Sequence, residues 1–239
     1  MGVSGPLRGC GPLEQPGEWG VERVIPLSDA EAPHRLMPLP APRAPWAGLS
    51  GTNLGDVTPR RQQILDIAAD LFASRGFHGV SVAELGAACG ISGPALYKHF
   101  ESKDAMLAEM LVTISETLLA EGRARVAAAD GPREALEALV EWHIEFALEH
   151  RALIVVQDRD WSSLPDEARE RVRSLQRAYV DEWAAQVRRH DPTLSPETSR
   201  TRAHVLFGLL NSTPHSGRLP DPQMHDVLRD MAHGALGLS

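Results

Sequence analysis

Residues 81–103 gather hydroxyl, phenol, imidazole and ammonium groups around a few small residues: SVAELGAACGISGPALYKHFESK. Ser81 and Ser92 each stand directly before a short apolar-patterned run, where a hydroxyl caps a helix start. Ser81-Val-Ala-Glu84 has the form of a capping box. The N–H groups at such a helix start also favour an anion. Tyr97, Lys98, His99 and Lys103 add further donors, and Arg60 and Arg61 bring two guanidinium groups from just upstream. Gly93, Pro94 and Ala95 leave a small, mostly apolar surface between them. These types in this order suit the holding of an anion.

The elements that must hold these groups read as helices. Thr58 can cap a first helix and Pro59 suits its first position. Ile64, Ile67, Ala68, Leu71 and Phe72 then form one apolar stripe, and Gly76 ends the run. Two short helices follow, separated by a turn at Gly90, the pattern of a helix-turn-helix. Val82, Leu85, Ile91, Leu96 and Phe100 are its inward residues. Ser102 can cap a fourth helix running through Met106, Met110, Ile114 and Leu118, with no breaker before Gly122. Beyond Gly131-Pro132 the helical pattern continues over 133–149, 150–159, 166–190, 196–212 and 222–236, with Ser195 and Asp221 as caps. No sustained period-two run or internal repeat appears. The expected fold class is all-α, with about nine helices.

Composition bounds the function. Of the 239 residues, 43% are hydrophobic, enough for a buried core. The net charge of −8 is unlike a general nucleic-acid coat protein, but it is unevenly spread. Residues 58–104 carry five basic and five acidic side chains and are the least acidic part. Residues 1–57 hold nine of the 18 prolines and nine of the 20 glycines and read as a disordered extension. The expected domains are therefore that extension, a helix-turn-helix domain over 58–104, and a second helical domain over 105–239. Cys10 and Cys89 form no metal or disulfide pattern, and the histidines show no repeated pairing with carboxylates, so neither metal nor cofactor is expected. There is no apolar run long enough for a membrane span and no secretory leader pattern, which makes a cytoplasmic, membrane-free protein the expectation. No Gly-x-Ser-x-Gly, HExxH or GxGxxG motif is present, so an enzyme is not expected.

Residues 60–107 resemble the DNA-binding domain of the TetR family of transcriptional regulators. The matching residues are the helix Ile64-Leu-Asp-Ile-Ala-Ala-Asp-Leu-Phe-Ala-Ser-Arg-Gly-Phe77, then Ser81-Val82, Glu84-Leu85 and Gly90-Ile91-Ser92. The most specific run is Leu96-Tyr97-Lys98-His99-Phe100, followed by Ser102-Lys103-Asp104 and Leu107. The resemblance implies phosphate contacts from Ser81, Ser92, Tyr97, His99 and Lys103, with Arg60 and Arg61 placed to follow the phosphate backbone, and a phosphate or guanine contact from Lys98. With Gly93, Pro94 and Ala95 on the reading surface few hydrogen bonds to base edges are on offer, so thymine methyl contacts from Pro94 or Ala95 and some reading of shape are expected. The resemblance also implies a homodimer on a palindromic double-stranded DNA operator, acting as a repressor. The dimer would join through Val205, Leu206, Leu209 and Leu210 and through Met224, Val227, Leu228, Met231 and Ala235. Residues 108–195 would enclose a small apolar or amphipathic effector, an acyl-CoA thioester being one choice. Trp142, Phe146, Trp161, Tyr179 and Trp183 are the expected apolar lining, with His143, Gln157 and Arg159 to orient a polar end.

Overall fold

The computed structural model describes residues 59–216 and 219–238. The expectations for residues 1–57 and for a Thr58 cap lie outside the described residues. The described chain is helical, with no strand among the described residues.

Helix α1 (Pro59–Arg75) begins with the proline at its first position. Ile64, Ala68 and Phe72 fall on its fully buried face, with Ile67 and Leu71 partly covered beside them. The helix closes with the Gly76 N–H donating to the Phe72 carbonyl at 2.8 Å. Helix α2 (Val82–Ala88) starts from the complete capping box, and α3 (Gly93–Leu96) is a single turn capped by Ser92. The turn between them passes through Gly90. The two helices nearly touch at Gly86. A Cβ there would lie 2.7 Å from the Gly93 nitrogen and 2.9 Å from the Ile91 carbonyl oxygen, so only glycine fits.

Helix α4 (Lys103–Ala128) is capped by Ser102, whose hydroxyl accepts from the Ala105 N–H at 2.9 Å. It runs past Gly122, where the sequence pattern suggested a break. There the Tyr179 ring packs so closely that a Cβ would lie 2.6 Å from it. Tertiary packing thus outweighs the weak helix propensity of glycine. The rest comprises α5 (Pro132–Glu149), α6 (Arg151–Asp160), a 3-10 turn (Trp161–Ser163), α7 (Asp166–His190), α8 (Pro196–Leu210), α9 (Thr213–Ser216) and α10 (Asp221–Leu236). The one-turn α9 was not expected. The expected Asp221 cap sits one place inside its helix, which Pro220 precedes.

Two cores hold these elements. The first joins α1, α2 and α3 to the start of α4, and it continues without a gap into Leu153, Ile154 and Val156 of α6 and Leu164 and Val172 beyond. The helix-turn-helix therefore shares its interior with the helical body behind it rather than sitting on a linker. The second core joins Leu119, Leu136, Leu139, Ile144, Trp183, Leu206, Leu210, Met224 and Leu228. Each such side chain, fully buried, contributes about 1.5–3 kcal/mol. The apolar stripes of α8 and α10 are divided by this core. Leu206, Leu210, Met224 and Leu228 point inward, whereas Val205, Val227 and Met231 stay exposed at 65%, 41% and 53%.

Gly86→Ala is expected to lower stability by about 1–3 kcal/mol, the usual cost of overpacking. Thermal unfolding would show it as a lower Tm, and an unchanged Tm would mean that α2 and α3 can separate freely.

Candidate functional site

The surface that projects around α3 is narrower than the sequence suggests. Ser92, Pro94, Tyr97 and Lys98 are exposed, with Tyr97 at 54%, and Gly93, Ala95 and His99 lie half-buried beside them. Ser92 Oγ accepts from the Ala95 N–H at 3.3 Å, which leaves its own proton for an outside acceptor. Among the described residues Lys98 makes no ion pair. These seven residues run from the Ser92 cap through α3 and the turn that follows it, interrupted only by buried Leu96.

Four of the predicted phosphate contacts are instead engaged within the protein. Lys103 points its ammonium at the loop before α2, donating to the Phe77 carbonyl at 2.8 Å and the Val80 carbonyl at 2.9 Å over the Phe77 ring. Arg61 lies 4.2 Å over the Phe100 ring, donates to the His99 carbonyl and reaches Glu109 Oε1 at 2.7 Å. Arg60 donates to the Cys89 carbonyl and to Gln63 Oε1. Ser81 Oγ donates to Glu84 Oε2 at 2.7 Å and accepts from the Glu84 N–H. The Ser81 backbone N–H, its hydroxyl and Arg75 together hold the Glu84 carboxyl at about 2, so a fixed negative charge sits beside Ser81. The physical reason is common to all four: unsatisfied carbonyls and caps inside the small domain claim these donors first.

A second site lies in the body. A cavity of about 210 Å³ opens between α4, α5, α6, α7 and α8. Of the eight residues expected to line it, His143, Phe146, Gln157 and Tyr179 do so. Trp183 backs the wall edge-on to His143 and Tyr179 without lining it. The other three are elsewhere. Trp142 lies under the Arg125 guanidinium and Trp161 under that of Arg173. Arg159 points away to α1, with Nη1 donating to the Ala73 carbonyl at 3.0 Å.

The cavity's polar end is a relay across three helices. His143 Nε2 donates to Asn211 Oδ1 at 3.0 Å, and Nδ1 faces the Tyr179 hydroxyl at 3.4 Å, a pairing that suits one neutral tautomer. Burial pulls the His143 imidazole down to about 4, opposed by its Asn211 hydrogen bond, and raises the Tyr179 phenol. Both groups are therefore neutral hydrogen-bonding partners near neutral pH. Gln157, Gln176, Asp158 and His204 complete the polar lining, and among the described residues no lysine or arginine is part of it. Sequence reasoning missed Asn211, Phe207 and His204, having given α8 to dimerisation. Their signal was there: 204, 207 and 211 fall at i, i+3 and i+7, a face of their own.

Burial also holds His150 at about 4. A histidine whose folded pKa is depressed binds its proton preferentially in the unfolded chain. Stability is therefore expected to fall as pH drops from 6.5 to about 4, by about 3 kcal/mol for His143 alone. Urea unfolding across that range checks this, and His143→Gln should flatten the slope by about one proton.

Two family models match the chain. Residues 64–110 match the bacterial regulatory proteins of the tetR family, and residues 129–236 match a tetracyclin repressor-like C-terminal domain. The HTH-type transcriptional repressor KstR2 of Rhodococcus jostii is 38% identical over 120 residues, covering 50% of this chain and 55% of that protein. The chain thus spans about half the length of the curated relatives it matches. The structure of PfmR, a TetR family transcriptional regulator from Thermus thermophilus, aligns over 75% of this chain and 97% of its own at 28% identity and a TM-score of 0.65. AibR in complex with isovaleryl coenzyme A and operator DNA shares the fold, at 23% identity and a TM-score of 0.61 over 72% of this chain and 97% of its own. The helix-turn-helix, the helical body behind it and these matches agree: the chain belongs to the TetR family of transcriptional regulators.

Proposed function

We propose that this regulator is a repressor that binds a palindromic operator as a homodimer and leaves it when a small molecule fills the cavity between α4 and α8. The observation that carries the reading is the exposed patch around Tyr97 and Lys98, which nothing in the chain covers among the described residues. Ser92, Tyr97, His99 and Lys98 grip phosphates, and Pro94 and Ala95 meet the major groove. A reader of one helical turn needs a second copy about one DNA turn away. Val205 on α8 and Val227 and Met231 on α10, with Gly208, Gly234 and Ala235 exposed beside them, give a low-relief apolar face for that second copy. The likeness to a protein named as a repressor supports the sign of regulation.

The cavity narrows the effector class. Its 210 Å³ is below the 300–1,000 Å³ usual for drug-sized ligands, so it suits a short chain rather than a bulky ring system. With no lysine or arginine in the wall among the described residues, a buried carboxylate would lack a permanent cation to pair with, at a cost of several kcal/mol. A thioester is neutral and can accept from the polar lining while its coenzyme stays outside. AibR, which shares the fold, has been captured in complex with isovaleryl coenzyme A. The effector proposed is therefore a short acyl-CoA, with the acyl group inside.

Genome-wide footprinting of the purified protein tests the reading, since it returns operator and half-site spacing together; a protein that protects no DNA at low ionic strength refutes it. On the operator found, Lys98→Ala should reduce the salt slope by about one, whereas Lys103→Ala should leave the slope alone and lower Tm. Calorimetry should show short acyl-CoAs binding and the matching free acids not binding. Met231→Glu should shift the protein from dimer to monomer in light scattering.

A further inference from the structure

We propose that Arg159 is the positioning residue through which the cavity sets the orientation of the helix-turn-helix. This rests on the reading above, that the chain is a ligand-responsive DNA reader. Arg159 stands in the last turn of α6. Its guanidinium leaves its own helix and donates to the carbonyls of Phe72 and Ala73, the final turn of α1. Those carbonyls carry the negative end of the α1 dipole, and a cation there is stabilising. The neighbouring Asp160 carboxylate, itself buried, lies 3.3 Å from the same guanidinium and fixes its direction.

The opposite side of α6 belongs to the cavity. Ile154 and Gln157 line it, and at 100° per residue they lie about 140° and 200° around the helix from Arg159. One short helix therefore meets the cavity with one face and holds α1 with the other. A second tie lies just beyond: Ser163 Oγ is 3.0 Å from His78 Nε2 in the loop after α1. From within the head, Lys103 holds the same loop through Phe77 and Val80. Residues 72–80 are thus gripped from both sides, and α1 shares one core with α2 and α3. A ligand that displaces α6 must move this grip or break it.

The apolar contact between α1 and α6 alone would transmit a push, but in no fixed direction. The Arg159 bonds are directional, and they end on backbone rather than on a side chain that can turn aside. Removing them leaves the core between the helices and deletes the register.

The test needs no identified effector, because the cavity can be filled from within by Leu118→Phe, a wall residue of α4. Two readouts are taken in the wild-type and Arg159→Ala backgrounds: affinity for the footprinted DNA, and hydrogen–deuterium exchange over residues 72–80. In the wild-type background, Leu118→Phe should weaken DNA binding by about fivefold or more and change exchange over 72–80. In the Arg159→Ala background both effects should shrink to less than about twofold, and Arg159→Lys should restore part of them. Equal responses in the two backgrounds overturn the proposal, as does no change over 72–80 in the wild-type background. If Arg159→Ala does not fold, Arg159→Gln takes its place with the same expectations. A protein that ignores DNA yet shows Arg159-dependent exchange would refute the repressor reading and leave this coupling standing.

Discussion

A four-residue helix cannot hold its own shape. Helix nucleation is unfavourable and one turn gains almost nothing from propagation, so α3 exists because its surroundings impose it. Leu96 and Phe100 anchor it from below, Gly86 lets α2 come within backbone contact, and Arg61 of α1 donates to the His99 carbonyl while pairing with Glu109 of α4. The presentation of Tyr97 and Lys98 depends on this clamp. It also explains the fate of the nearby cations: within so small a domain, Arg60, Arg61 and Lys103 are needed as internal braces.

The architecture was largely legible in the chain. Serine caps at 81, 92, 102 and 195, the α1 stripe and the prolines at helix starts all act locally, and each sits where the pattern places it. What local pattern does not carry is the partner of a long polar side chain. Lys103 and Arg159 both look like free donors in a sequence. Both end on carbonyls in α1 or the loop after it, 23 or more positions away. The run of α4 through Gly122 is the same lesson, since the Tyr179 ring that takes the place of a Cβ comes from α7.

The cavity was half legible for a related reason. Aromatic residues mark where a core is, but they do not say which ring borders empty space. Tyr179 and Phe146 do, while Trp142 and Trp161 are half-buried against the two cores, each under an arginine. The decisive polar partner, Asn211, caps the end of α8 and is brought to His143 only when α5 and α8 pack. Helix α8 thus serves three neighbours at once: the core through Leu206, the cavity through Phe207, and the open face through Val205.

The scarcity of uncommitted positive charge on the reader has a consequence for how it searches a genome. Weak, sequence-blind attachment to DNA comes almost wholly from displaced counterions, so its strength follows the number of cations free to meet phosphates. A chain of net charge −8 whose head keeps most of its arginines and Lys103 for itself would linger little on random sequence. On the proposed reading, few copies would then be held up on the bulk of the chromosome. Discrimination would fall to the fit of a short, nearly apolar helix tip against the local width and curvature of the groove.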